Sequence, residues 1–327
     1  MAAVDAVIAR RLQSDVVLVQ QVSTYIVGSG GKRMRPRLLL LMAMAMGYSH
    51  PDQHELAATV EFIHTSTLLH DDVVDESALR RGRATANATF GNAASVLVGD
   101  FLYSRAFQMM VSTGRMRVLE ILAEATNIIA EGEVLQLMNM HDPEISVERY
   151  LQVIRCKTAK LFEASARLGA VLALHPREGE PAAPWPEALA GQSADSIERG
   201  CADFGASLGT AFQLVDDILD YEGDTHTLGK NIGDDLREGK ATLPLLVAMS
   251  RCSDSDRAWL RQCIEHGEVD RLPDVIRIVR ETGALDATRD VARAEVDRAC
   301  EALAPLPESP VKDTLLHLAR TSLVRLF

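Results

Sequence analysis

The chain has 327 residues, 47% hydrophobic and 24% charged, which is ordinary globular composition and long enough for a sizeable core. A formal net charge of −12 excludes a general nucleic-acid binder, which needs a basic face. The cysteines Cys156, Cys201, Cys252, Cys263 and Cys300 are odd in number and form no Cys-x-x-Cys pair, which excludes a disulfide framework or zinc site and fits a reducing compartment.

In chain order, the first stretch, "MAAVDAVIARRLQSD", carries Asp5, Arg10 and Arg11 where a signal peptide needs an apolar run. The apolar run from Leu38 to Met46 is too short to span a bilayer. The expectation is a soluble cytoplasmic protein with no transmembrane segment. Helical spacing predicts helices over Glu55–Leu69, Ala94–Met110, Val118–Met138 and Cys201–Tyr221. The second of these is apolar on nearly every side, which predicts a place in the middle of a bundle. Sustained two-residue alternation is missing, so strands are not expected. Pro176, Pro181, Pro184 and Pro186 mark a surface loop over about 175–190. Helical patterning resumes beyond it, and the fold expected is one all-α domain over 1–327.

Asp71, Asp72 and Asp75 have the spacing D-D-x-x-D at the end of an apolar helix. Positions i and i+4 share a helix face, so Asp71 and Asp75 point the same way and repel each other unless a cation intervenes. Asp216, Asp217 and Asp220 repeat the spacing at the end of a second apolar helix. An oxygen-only donor set points to a hard cation, and magnesium is usually held by one or two carboxylates together with substrate phosphates. A phosphate ester needs basic partners as well. Candidates are Lys32, Arg33 and Arg35 after a glycine-rich stretch, Arg80 and Arg81 after the first acidic cluster, then Lys157 with Thr158, Lys230 and Lys240. The glycine-lysine stretch lacks the G-x-x-x-x-G-K-[ST] pattern of a nucleotide P-loop.

The segments "GGKRMRP", "EFIHTSTLLHDDVVDES", "RRGRATAN", "GNAASVLVGDF", "AEGEVLQLM", "KTAKLFEAS", "GTAFQLVDDILDY" and "GKNIGDDLREGKATLPLL" carry a family resemblance. In their order and content the chain resembles the trans-polyprenyl diphosphate synthases, and within them the bacterial octaprenyl branch. It departs from many members in the longer proline-rich loop and in Arg83-Ala84, where Lys-Pro is usual.

The resemblance implies an all-α helical bundle around a central cavity, a homodimer, and Mg2+-dependent chain elongation. An allylic diphosphate, with farnesyl diphosphate as primer, is extended by isopentenyl diphosphate to a quinone side-chain precursor. Contact with a membrane surface would accompany product release. Carried over by motif, Asp71, Asp75 and Asp216 hold magnesium on the allylic diphosphate and Asp220 supports that site, with Asp72 and Asp217 shaping it. Arg80, Lys157 and Lys230 meet the same diphosphate, and Lys32, Arg35, His64 and Arg81 hold isopentenyl diphosphate. Thr158 and Gln213 face the developing allylic cation with oxygen atoms, and Lys240 lies in a segment that closes the site. The carboxylates hold the cation that takes up leaving-group charge, and the arginines complete the neutralisation.

Ser66 and Thr67, about one turn before Asp71, are small where short-chain relatives place an aromatic ring, so a long product is expected, eight units rather than the farnesyl, geranylgeranyl or nonaprenyl lengths. Met110 and Leu122 are candidates for the tunnel floor, or are simply core. A class I terpene cyclase would share the first cluster but not "VDDILD" or "GGKRMRP", and a catalytically silent partner subunit would have lost one or both clusters.

Overall fold

The computed structural model describes residues 1–28, 30–80, 82–177, 189, 191–222 and 232–324; Arg81, Lys230 and most of the proline-rich loop lie outside them. The protein is all-α, as expected. The helices are α1 (Ala2–Arg11), α2 (Val17–Gly28), α3 (Met34–Ala45), α4 (Asp52–Val74), α5 (Ala86–Phe90), α6 (Asn92–Ser112), α7 (Met116–Asn139), α8 (Val147–Ile154), α9 (Lys160–Leu174) and α10 (Ala194–Glu222). They continue as α11 (Asp234–Arg237), α12 (Leu243–Arg251), α13 (Asp254–His266), α14 (Leu272–Glu281), α15 (Ala284–Ala302) and α16 (Pro310–Ser322). A single π-helical turn, Arg155–Ala159, joins α8 to α9. Among the described residues no helix is long and apolar enough to cross a membrane.

One departure from expectation is a small antiparallel ladder of β1 (Leu79–Arg80) and β2 (Arg83–Ala84), pairing Leu79 with Ala84 and Arg80 with Arg83. Gly82, at φ 74°, supplies the left-handed residue of its turn. Strands of two residues are too short to leave an alternating pattern in the sequence.

By its internal contacts the chain forms two compact units, where the sequence reading has one domain. Unit 1 comprises Met1–Thr126, Leu161–Gly205 and Ala302–Leu316; unit 2 comprises Asn127–Lys160, Ala206–Glu301 and His317–Phe327.

In unit 1, α4 is the helix buried on nearly all sides: Leu56, Ala57, Ala58, Val60, Phe62, Ile63, Thr65 and Ser66 are all covered, and α1, α3 and α6 pack on it. The expectation that α6 would be the central helix is corrected. Its Val98, Leu102, Ala106, Met109 and Met110 are buried, but Val96, Leu97, Phe107 and Val111 are exposed. Periodicity shows that a helix is apolar all round, but not whether its second face is covered by its own chain. Elsewhere in unit 1 the buried carboxylate of Glu198 joins three helices. It accepts from Arg117 Nη2 at 2.6 Å and Arg167 Nε at 2.7 Å, and its other oxygen lies 3.2 Å from His175 Nε2. Burial alone would raise the Glu198 pKa, but the two guanidinium hydrogen bonds outweigh it and hold the carboxyl below its ordinary value.

In unit 2 a continuous apolar core gathers Tyr150 and Ile154 from α8, Leu214, Ile218 and Tyr221 from α10, and Leu260, Ile264, Val275 and Ile278 from α13 and α14. Each fully buried aliphatic side chain of this kind contributes about 1.5–3 kcal/mol. Thr242 stands at the N-cap position of α12 in extended conformation without a side-chain cap bond, and Pro244 sits in the first turn, where a missing N–H costs nothing. That accounts for the "ATLP" run.

Candidate functional site

In unit 1 the first acidic cluster occupies the last turn of α4. Asp75 ends the helix with its N–H on Asp71 O at 2.8 Å, which keeps Asp71 and Asp75 on one face, and both are partly exposed. Asp72 differs: it is fully buried, and its Oδ1 accepts from Arg80 Nε at 2.8 Å and Nη2 at 2.7 Å. Burial would lower the Arg80 pKa, but the bond to Asp72 and the charges of Asp72, Asp71 and Asp75 raise it, so the guanidinium stays charged. The chain after α4 is folded back on it. Asn87 Nδ2 donates to Asp72 O at 3.0 Å, Thr85 Oγ1 donates to Ser77 O at 2.7 Å, and Thr85 caps α5. The arginine-rich turn is thus held against the acidic helix end. Arg81 lies outside the described residues.

The second basic group of unit 1 sits at the start of α3. Arg35 Nη1 donates to His64 Nε2 at 3.1 Å, which makes that nitrogen the acceptor, and the guanidinium lies 4.4 Å from the centroid of the Phe162 ring. Arg35 and His64, two of the residues expected to hold the second diphosphate, are therefore brought together. Lys32 is exposed just before them. Arg33 instead donates to Glu61 at 2.6 Å and pins the start of α3 to α4. Ser66 is buried with its hydroxyl on Gly99 O at 2.8 Å, Thr67 donates to His64 O at 2.9 Å, and Met110 and Leu122 are fully buried.

In unit 2 the π-helical turn carries Lys157 and Thr158. Gly132 of α7 lets it approach: a Cβ there would lie 2.8 Å from both Cys156 Cβ and Lys157 N. Next to that contact Lys157 Nζ pairs with Glu133 Oε2 at 2.6 Å. The "AEGEVLQLM" segment thus supplies the seat of the turn and the partner of its lysine. On α10, Asp216 is partly exposed while Asp217 and Asp220 are buried. Asp217 accepts from Tyr150 Oη and, at 2.8 Å, from Gln213 Nε2, and Gln213 Oε1 accepts from Thr158 Oγ1 at 2.9 Å. Burial and then the charge of Asp235 push the Asp217 carboxyl up, against the two hydrogen bonds. Asp220 Oδ2 accepts from Asp235 N at 3.3 Å, tying the end of α10 to α11. Lys240 pairs with Glu238, and its N–H bonds Asp235 O at 2.8 Å. Lys230 lies outside the described residues.

The sequence did not single out Tyr150, Glu133, Phe162 or Asn87. For Tyr150 a signal existed: it stands two helical turns before Lys157, at a spacing that shares a face. The others pair through the tertiary fold and leave no local trace.

The donor chemistry fits a hard divalent cation. Each cluster presents carboxylate oxygen alone, with its first aspartate partly exposed and its second committed to protein donors. Among the described residues no three His, Cys, Asp or Glu side chains gather into a complete metal cage. Magnesium does not need one, because it keeps water and substrate oxygens in its shell.

Comparison with known proteins bears on this arrangement directly. Residues 16–279 match the family model described as polyprenyl synthetase. Octaprenyl diphosphate synthase of Escherichia coli is 51% identical over 99% of this chain and 95% of its own length. The geranyl-diphosphate-specific all-trans-nonaprenyl-diphosphate synthase of Rhodobacter capsulatus is 46% identical over 99% of this chain and 94% of its own length. A polyprenyl synthase from Caulobacter crescentus, solved in complex with calcium and isoprenyl diphosphate, superposes with a TM-score of 0.91 at 44% identity, covering 100% of this chain and 95% of that one. The chain belongs to the polyprenyl synthetase family.

Proposed function

We propose that the protein is a long-chain trans-polyprenyl diphosphate synthase that extends an allylic diphosphate with successive isopentenyl diphosphate units to octaprenyl diphosphate. The observation that carries this reading is 51% identity to an octaprenyl diphosphate synthase along almost the whole chain. The site agrees with it in kind: two carboxylate clusters with partly exposed first members, and basic groups seated beside them.

In this reading Asp71, Asp75 and Asp216 hold a divalent cation, preferentially Mg2+, against the allylic diphosphate, and Asp220 braces the second cluster from the interior. When bound, the cation takes up charge from the departing pyrophosphate. Arg80, Lys157 and Lys230 add charged hydrogen bonds to that diphosphate. Lys32, Arg35, His64 and Arg81 take the isopentenyl diphosphate. Its association with the Arg35–His64 pair is supported by the guanidinium being fixed from two sides, by the imidazole and by Phe162. Thr158 and Gln213 offer oxygen lone pairs to the allylic cation, and Lys240 belongs to the segment that closes over substrate. Farnesyl diphosphate is the primer, the chain acts as one catalytic domain, and the protein works as a homodimer. All five cysteines are free thiols, which suits a cytoplasmic enzyme.

The test is incubation with farnesyl diphosphate, labelled isopentenyl diphosphate and Mg2+, followed by dephosphorylation and chromatography. The expected product is a linear eight-unit chain, and excess chelator is expected to abolish it. A cyclic hydrocarbon, no product at all, or full activity in chelator would each overturn the reading.

A further inference from the structure

Asp217 and its partners form a hydrogen-bonded series with a fixed polarity, built from α8, the π-helical turn and α10. In its ionised form Asp217 only accepts, and Tyr150 and Gln213 then both donate to it. That turns the NH2 end of the Gln213 amide toward Asp217 and leaves Oε1 for Thr158, which donates its hydroxyl proton. The reversed amide would bring its oxygen to 2.8 Å from a carboxylate oxygen. Asp217 therefore decides which way round the Gln213 amide stands, and Gln213 in turn decides where the Thr158 proton goes.

Asp217 itself needs an anchor. It is 2% exposed, and Tyr150, at 4%, contributes its ring to the apolar core of unit 2 and its hydroxyl to the second carboxylate oxygen. Without that donor one buried oxygen of Asp217 loses its protein partner, and the carboxylate can turn to share Gln213 between its two oxygens. Thr158 and Gln213 are only half-buried, so the series runs from the core to two residues assigned to the substrate.

We propose that Tyr150 is a positioning residue for prenyl transfer: by anchoring Asp217 it holds the oxygen ends of Gln213 and Thr158 side by side, ready to face the allylic cation. It follows that the second aspartate of the second D-D-x-x-D cluster orients an amide rather than holding the cation. The inference rests on the prenyl-transfer reading above.

The test is a cycle of Tyr150→Phe, Gln213→Leu and the double variant in the full-length chain. Tyr150→Phe keeps the ring in the core. It is expected to lower kcat about tenfold or more, since small misplacements at a reacting centre are costly. Both KM values should stay within about twofold and helicity should be retained, while the thermal midpoint falls by a few degrees for the lost buried donor, so kcat is read where the variant is fully folded. The double variant should be no slower than Gln213→Leu alone. In metal-free protein labelled at glutamine side-chain nitrogen, the Gln213 amide signal, assigned by its loss in Gln213→Leu, should move in Tyr150→Phe. Wild-type kcat in Tyr150→Phe, a fully additive double variant, or an unmoved Gln213 signal overturns the proposal. Should Tyr150→Phe not fold, Asp217→Asn takes its place in the cycle, with the same outcomes. A wild-type protein that makes no prenyl product overturns the functional reading itself; an active wild type with an additive cycle overturns only the role of Tyr150.

Discussion

Asp71 and Asp72 are neighbours of the same type in the same motif, yet their surroundings give them opposite roles. Asp71 is partly exposed on the face it shares with Asp75, whereas Asp72 is enclosed and bound to Arg80 through two nitrogens. Asp71→Ala is expected to cut turnover by about 10²–10³, the loss typical of removing one electrostatic stabiliser of a charged transition state, with stability close to wild type. Asp72→Ala removes the carboxylate partner of a guanidinium that is still 30% exposed and is expected to cost about 1–3 kcal/mol of stability. Urea denaturation separates them: the midpoint should fall in Asp72→Ala and hold in Asp71→Ala. The opposite pattern would mean that the two roles are exchanged.

At the scale of elements, the functional residues depend on close approaches that only small side chains permit. Gly132 of α7 seats the π-helical turn, so Gly132→Ala must displace Lys157 N or Cys156. Overpacking of this kind costs about 1–3 kcal/mol. Because the displaced turn carries Lys157 and Thr158, kcat should fall by more than the stability loss explains, as read at a temperature where the variant is fully folded. A variant with normal kcat would show that the turn can move without consequence. Glu198 joins α7, α9 and α10 in another way, and it makes a prediction about pH. Its folded pKa lies below the ordinary 4.5, so the folded state holds fewer protons than the unfolded one as acid is added. The stability it contributes is full above 4.5 and is lost as pH falls through the depressed value. The wild-type advantage over Glu198→Gln in thermal midpoint should therefore narrow as pH is lowered below 4.5. An advantage that does not change with pH would show that the carboxylate is not depressed. The helices themselves were readable from periodicity: the sequence placed α4, α6, α7 and α10 correctly, with ends a few residues short. The aspartates stood out by their spacing, whereas Arg35 and His64 were singled out as a pair only by the family resemblance. Glu133 and the π-helical turn were not readable, because their roles come from partners distant in sequence; Tyr150 shares a face with Lys157, but its partner Asp217 is 67 residues away.

For the whole molecule, the unanswered surface is the outer face of α6. At about 100° per residue, Val96, Leu97, Phe107 and Val111 spread over roughly 100° of the helix, opposite the face buried on α4. Leu97 is 66% exposed and Val111 62%. Asp100 and Ser104 are exposed in the same sector, so the face mixes these apolar side chains with polar ones, and each apolar one contributes about 1.5–3 kcal/mol when covered. In the proposed homodimer a two-fold contact would cover this face with its own copy, since an isologous contact pairs the same patch on both protomers. This is the physical content of the homodimer proposal, and it explains why α6 reads in sequence as a core helix. Leu97→Glu puts a charge into the stripe of both protomers at once, so its effect is doubled by symmetry. In sedimentation velocity the wild type should run as a dimer and Leu97→Glu as a monomer, with its helicity retained because Leu97 does not face the unit 1 core. A wild type that sediments as a monomer at assay concentration, or a Leu97→Glu variant that stays dimeric, would remove α6 as the dimer face.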